Sequence, residues 1–135
     1  MTINELNINI KDVPQGYTLA SAFSTDMHWV GLPGFLNHLF YITERDDKEH
    51  EVGSVAKIDN LYMLFVKESS YDAPQWSALK DCLIKLANKV DKILIKHLAM
   101  PRICCGKNGF LWDDVKQMIE EIFYDIDVDI LICYQ

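Results

Sequence analysis

The chain has no apolar run approaching the roughly 18 residues that a membrane-spanning helix requires, so no span is expected. Its first residues, MTINELNINI, lack the basic start and apolar core of a secretory signal, and a cytoplasmic protein is expected. No C-x-x-C pair occurs among the four cysteines, Cys82, Cys104, Cys105 and Cys133. Adjacent Cys104 and Cys105 are poorly placed to ligate one metal together, and His38, His50 and His97 are scattered. No metal and no cofactor are expected, and the thiols read as buried and free. Positive charge is in the minority, with 13 Lys and Arg against 20 Asp and Glu and a net charge of −7. Long-range attraction to nucleic acid or an anionic membrane is thereby disfavoured. A phosphate-bearing ligand would have to be held by local donors against the overall field. Only six glycines occur, and Gly31, Gly34, Gly106 and Gly109 fall at two strand-to-helix junctions.

What is present suffices for one core. Hydrophobic residues make up 50% of 135 residues, which fits a single domain over residues 1–135. Apolar Leu6, Ile8 and Ile10 alternate with polar neighbours, a period-2 signal for a strand over residues 4–10. Pro14 and Gly16 mark a turn before a second strand, 17–23. Residues 24–34 read as a loop and lead to a short helix ending near Phe40, followed by a charged loop over 43–50. Strands at 52–58 and 61–67 flank Asp59 and Asn60, which suit a two-residue hairpin because both tolerate positive φ. Pro74 suits the first turn of a helix whose stripe is Trp76, Leu79, Leu83, Leu86 and Val90. A strand at 95–100, a helix from about Leu111 and a closing strand at 126–133 complete the order. Trp76 and Trp112 read as core residues on their stripes. The pattern implies an α/β fold, a mixed sheet of about six strands flanked by helices.

In such sheets ligands sit outside the carboxyl ends of the strands. The segment Leu98, Ala99, Met100 runs through Pro101 into a loop carrying Gly106, Lys107, Asn108, Gly109 and Phe110, and then into a helix. Glycines let backbone N–H groups approach a phosphate, and the helix N-terminus adds partial positive charge. Two such loops facing one crevice suit a diphosphate better than a single phosphate.

With these residues placed, the chain resembles a macro domain. The subgroup it is similar to contains the terminal ADP-ribose protein glycohydrolases and the DNA-ADP-ribosyl glycohydrolase antitoxins. The resemblance rests on Met100-Pro101-Arg102-Ile103-Cys104-Cys105-Gly106 followed by Leu111-Trp112, and on the acidic amphipathic helix, the final strand and the hairpin ending in lysine. It implies that Lys67 is the lysine that forms a covalent adduct with ribose. It also implies that Asn108 stands where the protein glycohydrolases carry an assisting aspartate, and that Asp12 receives the adenine amino group. Ser24 and Asp26 fall where the family lines the distal ribose, and Gly31 and Gly34 retain parts of the first phosphate loop. Cys104 replaces the first glycine of the family's G-C-G.

The ligand implied is ADP-ribose or a related nucleotide, with an ADP-ribosylated protein or nucleic acid as substrate. A monomer is expected. Hydrolysis by Lys67 needs a neutral amine to attack C1″ and form a Schiff base. Asn108 cannot serve as a general base, because an amide has no usable proton affinity near neutral pH. Three readings therefore stand side by side: a glycohydrolase, a binder that reads or sequesters ADP-ribose derivatives, and a degenerate macro fold used for protein interaction. His28 and Trp29 share the loop after Ser24, where packing is the simpler role and stacking or catalysis the alternative.

Overall fold

A computed structural model describes residues 1–26, 49–107 and 109–135. Its elements are β1 (Thr2–Leu6), a 3-10 turn (Ile10–Asp12), β2 (Thr18–Ser24), β3 (Val55–Ile58), β4 (Leu61–Lys67), α1 (Trp76–Lys92), β5 (His97–Pro101), α2 (Trp112–Ile122) and β6 (Asp129–Cys133). The six strands form one sheet in the order β1-β6-β5-β2-β4-β3. All neighbours are parallel except the β3–β4 hairpin. That hairpin turns on Asp59, whose φ of 53° lies in the left-handed region a two-residue turn requires. Among the described residues no helix is long and apolar enough to cross a membrane.

Alternation along the central strands sorts their side chains to two faces. Ala20, Tyr62, Leu64, Leu98, Met100, Ile130 and Ile132 pack with α1 and α2 on one face. Leu19, Phe23, Leu61, Met63, Phe65, Ala99 and Leu131 form the other, where Ile10 joins them. Helix α1 buries Leu79, Leu83, Leu86 and Val90 completely, the stripe expected from the sequence.

Several local expectations need correction: β3 starts at Val55 rather than 52 and β6 at Asp129 rather than 126, Pro74 precedes α1 rather than opening it, and Trp112 is half-buried rather than core. The first strand covers Thr2–Leu6 rather than 4–10, because parallel pairing with β6 sets Thr2 opposite Asp129 and Leu6 opposite Cys133. Leu6 is 47% exposed in consequence, and Ile10 leaves the sheet to cap its second face from the 3-10 turn. Trp76 is not core; it opens α1 at 42% exposure, with its ring edge-to-face against Phe110 at 4.9 Å between centroids. Cys82 and Cys133 are buried, but Cys104 and Cys105 are only half-buried, since their loop lies at the sheet's rim. The expected helix ending near Phe40 and most of the 43–50 loop lie outside the described residues.

Candidate functional site

Because β1, β6, β5, β2 and β4 run parallel, their carboxyl ends share one edge of the sheet. Most of the sequence-expected site residues described here gather there. Gly106, Lys107, Gly109 and Phe110 follow β5, Ser24 ends β2 with Asp26 just beyond it, and Lys67 ends β4. Asp12 is exposed on the 3-10 turn beside Ile10. Gly31, Gly34, Asn108, His28 and Trp29 lie outside the described residues.

The loop after β5 is closed by its own backbone. Phe110 N–H donates to the Cys104 carbonyl at 2.7 Å, and Gly109 N–H donates to the Gly106 carbonyl at 2.9 Å. A Cβ on Gly109 would stand 2.1 Å from the Cys104 oxygen, so only glycine fits. A Cβ on Gly106 would meet nothing within 4 Å, and the space above it is open. Cys104, standing where the motif carries glycine, adopts φ of 60°. A side chain in this left-handed region is strained, and such strain collects at functional sites. Burial pushes the Cys104 thiol up to about 12 and the Cys105 thiol up to about 11, so neither is a ready nucleophile.

Lys67 is aimed by a β-bulge. Phe23 pairs with Phe65 but Ser24 pairs with Lys67, leaving Val66 as the extra residue on β4. Bulges beside binding sites re-aim a side chain and end the pairing. Beyond it the two strand ends are tied together. Thr25 N–H donates to the Lys67 carbonyl at 2.9 Å and Asp26 N–H to the Glu68 carbonyl at 3.0 Å. Lys67 Nζ donates to the Ser70 carbonyl at 3.2 Å.

At the other end of the edge lies an open cleft of about 520 Å³. Asn9, Ile10, Arg102, Gly106, Trp112 and Tyr134 are among its walls. Asn9 shapes the 3-10 turn by accepting from Lys11 N–H at 3.0 Å and donating to the Gln135 side chain at 3.3 Å. The Arg102 guanidinium lies 4.1 Å from the Tyr134 ring centroid, a cation–π contact. Arg102 also donates to Glu5 at 3.3 Å, and Glu5 receives Trp112 Nε1 at 2.8 Å and Lys116 Nζ at 3.0 Å. The Lys116 ammonium above all, with the Trp112 and Arg102 donors, holds the Glu5 carboxyl below the usual range. Sequence reasoning missed Glu5, Arg102 and Tyr134 as cleft-shaping residues. Arg102 stood in the quoted motif without a role, and Glu5 fell on the polar phase of the strand the sequence suggested, so nothing local marked either.

No family model matches the chain. The ADP-ribose glycohydrolase OARD1 of Homo sapiens is 28% identical over 95 residues, spanning 67% of this chain and 62% of that protein. The match thus covers less than two-thirds of that relative's length. Among solved structures, the macrodomain of Mycobacterium tuberculosis DarG superposes with a TM-score of 0.84 at 16% identity, over 99% of this chain and 98% of that one. Thermosipho africanus DarTG in complex with ADP-ribose gives 0.73 at 16% identity, over 90% of this chain and 39% of that one. At these identities the likeness is one of architecture, and the chain has the fold of the DarG macrodomains.

Proposed function

We propose that the carboxyl edge binds ADP-ribose or a closely related nucleotide, and that the protein hydrolyses an ADP-ribosyl bond with Lys67 as nucleophile. The observation that carries this reading is the bulge that ends β4 at Lys67, on the same carboxyl edge of the sheet as the loop holding Gly106 and Gly109. In sheet order the cleft at β6, the glycine loop after β5, Ser24 at β2 and Lys67 at β4 succeed one another. Three strand spacings span about 14 Å, a distance suited to two riboses joined by a diphosphate. The adenosine end takes the 520 Å³ cleft, with Asp12 near the adenine. The diphosphate lies over the Gly106 and Gly109 backbone, beside Lys107 and Phe110; the parts the resemblance gives to Gly31, Gly34 and Asn108 fall outside the described residues. The distal ribose meets Ser24, Asp26 and Lys67. The names of OARD1 and of the DarTG complex support this ligand class.

The chemistry balances without a cofactor. The neutral Lys67 amine forms a bond to C1″ as the bond from C1″ to the acceptor, on protein or nucleic acid, breaks with its electron pair. The acceptor takes one proton. Opening of the ribose places a second on the ring oxygen and leaves a Schiff base, and water then adds to C1″ and releases ADP-ribose and the amine. A non-catalytic binder is the second reading. It is favoured by the Lys67 Nζ contact to the Ser70 carbonyl, which engages the amine as a donor. Borohydride trapping with an ADP-ribosylated substrate separates the two. A mass adduct on Lys67, absent in Lys67→Ala while ADP-ribose affinity stays within a few-fold, is expected. Hydrolysis that survives in Lys67→Ala removes the lysine mechanism, and binding without turnover in the parent protein favours the binder.

A further inference from the structure

The amine of Lys67 is held at the end of a chain of contacts that begins on another strand. Ser24, 2% exposed at the end of β2, donates through Oγ to Asp26 Oδ1 at 2.6 Å. The other carboxylate oxygen of Asp26 accepts the Ser70 N–H at 3.2 Å. Ser70 in turn offers its carbonyl to Lys67 Nζ at 3.2 Å. The turn carrying Ser70 is braced further. Ser69 N–H donates to Asp72 Oδ2 at 3.1 Å, Tyr71 N–H to Ser69 Oγ at 3.2 Å, and Asp72 N–H to the Ser69 carbonyl at 3.0 Å. Gln75 N–H ties the far end back to the carbonyl of the bulged Val66 at 3.0 Å.

We infer that Asp26 is a positioning residue for Lys67: by pinning the Ser70 amide it fixes the carbonyl that orients the lysine amine, apart from any contact Asp26 makes with ribose. The inference rests on the lysine mechanism proposed above. Asp26 holds the peptide unit on one side of Ser70 and Lys67 Nζ donates to the peptide unit on the other, so the carboxylate restrains the carbonyl through the Ser70 backbone. A nucleophile displaced by about 1 Å loses on the order of a hundredfold in rate without losing its ligand.

The test compares Asp26→Ala, Asp26→Asn and Ser24→Ala with the parent and with Lys67→Ala. The amide of Asp26→Asn still accepts the Ser70 N–H and is isosteric, so it keeps the strut and the fold. Expected are a kcat about a hundredfold lower in Asp26→Ala at a KM within a few-fold, a smaller loss in Ser24→Ala, and in Asp26→Asn a kcat recovered well above that of the alanine variant. Unchanged kcat in Asp26→Ala overturns the inference. So does a change confined to KM, which assigns Asp26 to the ligand. So does an Asp26→Asn variant as weak as the alanine, which makes the charge rather than the strut decisive. If the parent shows no Lys67-dependent turnover, the lysine mechanism fails by itself. The strut is then read by NMR, as slow exchange of the Ser70 amide and an ordered Lys67 side chain, both lost in Asp26→Ala. Identical exchange and side-chain order in parent and variant overturn it.

Discussion

Replacing Gly109 with alanine should damage the loop and its ligand together, whereas a larger side chain at Gly106 should damage the ligand alone. At Gly109 the new methyl would sit 2.1 Å from the Cys104 carbonyl oxygen, 2.9 Å from its carbon and 3.1 Å from the Gly106 oxygen. These are backbone atoms, so no rotamer change relieves the overlap and the loop itself must move. Moving it breaks the contacts of Phe110 N–H with Cys104 and of Gly109 N–H with Gly106. It also separates Phe110 from the Trp76 ring. Two hydrogen bonds and one aromatic edge contact amount to about 3 kcal/mol. In a chain of this size that lowers Tm by roughly 10 °C. Gly106→Val meets open space and should leave Tm within about 2 °C, since surface changes of this kind stay within ~0.5 kcal/mol. Its branched side chain would nevertheless fill the approach to the backbone donors and remove ADP-ribose binding. Differential scanning fluorimetry with isothermal titration calorimetry reads both variants. A Gly109→Ala protein that melts with the parent, or a Gly106→Val protein with parental affinity, refutes the account of the loop.

Thiol chemistry offers a second check. Burial pushes Cys105 up to about 11 and Cys104 up to about 12, so at pH 8 about one Cys105 in a thousand is thiolate. Alkylation of the native protein should be at least roughly a hundredfold slower than of the unfolded chain; a fast phase assigned to either cysteine by mass spectrometry contradicts this. Glu5, held low chiefly by Lys116, contributes stability that is present above the ordinary glutamate range and lost as pH falls through its lowered folded value. Lys116, held high chiefly by Glu5, contributes below the ordinary lysine range and loses its part as pH rises through its folded value. Glu5→Gln should therefore cost about 1 kcal/mol near neutral pH and almost nothing in acid, measured by urea titration across pH. An acid-independent cost rules the pairing out. Trp76 reports on the loop through Phe110, so ADP-ribose should shift the intrinsic emission and Trp76→Phe should remove much of the shift; an undiminished response places the signal elsewhere.

Local pattern carried the central elements and failed where pairing partners lie far away in sequence. β4 was legible to the residue as Leu61–Lys67, because an apolar run bounded by a turn pair and a lysine admits few other readings. The stripe of α1 was equally plain from Leu79 onward. Trp76 misled because position on a helical stripe says nothing about whether the neighbouring layer extends that far; here it opens the helix at the rim. The first strand slipped because alternation of Leu6, Ile8 and Ile10 is equally good in either phase, and only the register against β6 decides. The glycine loop and Lys67 were visible from the motif. The bulge, the Ser70 link and the Glu5 contacts were not, because each joins residues whose proximity is a product of the sheet order.

That sheet order also dictates a sequence of events during folding. β1 lies at the edge of the sheet with β6 as its neighbour, and Thr2 stands opposite Asp129 near the other end of the chain. On a ribosome, β1 has no sheet neighbour among the described strands until β6 has been made. The hairpin of β3 and β4, with α1 against β4, can form early from near neighbours, but β6 must pair with β5 before the β1 edge has a place to dock. Tyr134 and Gln135, which wall the cleft beside Arg102, arrive with that final strand. The cleft is thus incomplete until β6 has formed, and a nascent chain should gain affinity for ADP-ribose only after β6 has cleared the exit tunnel.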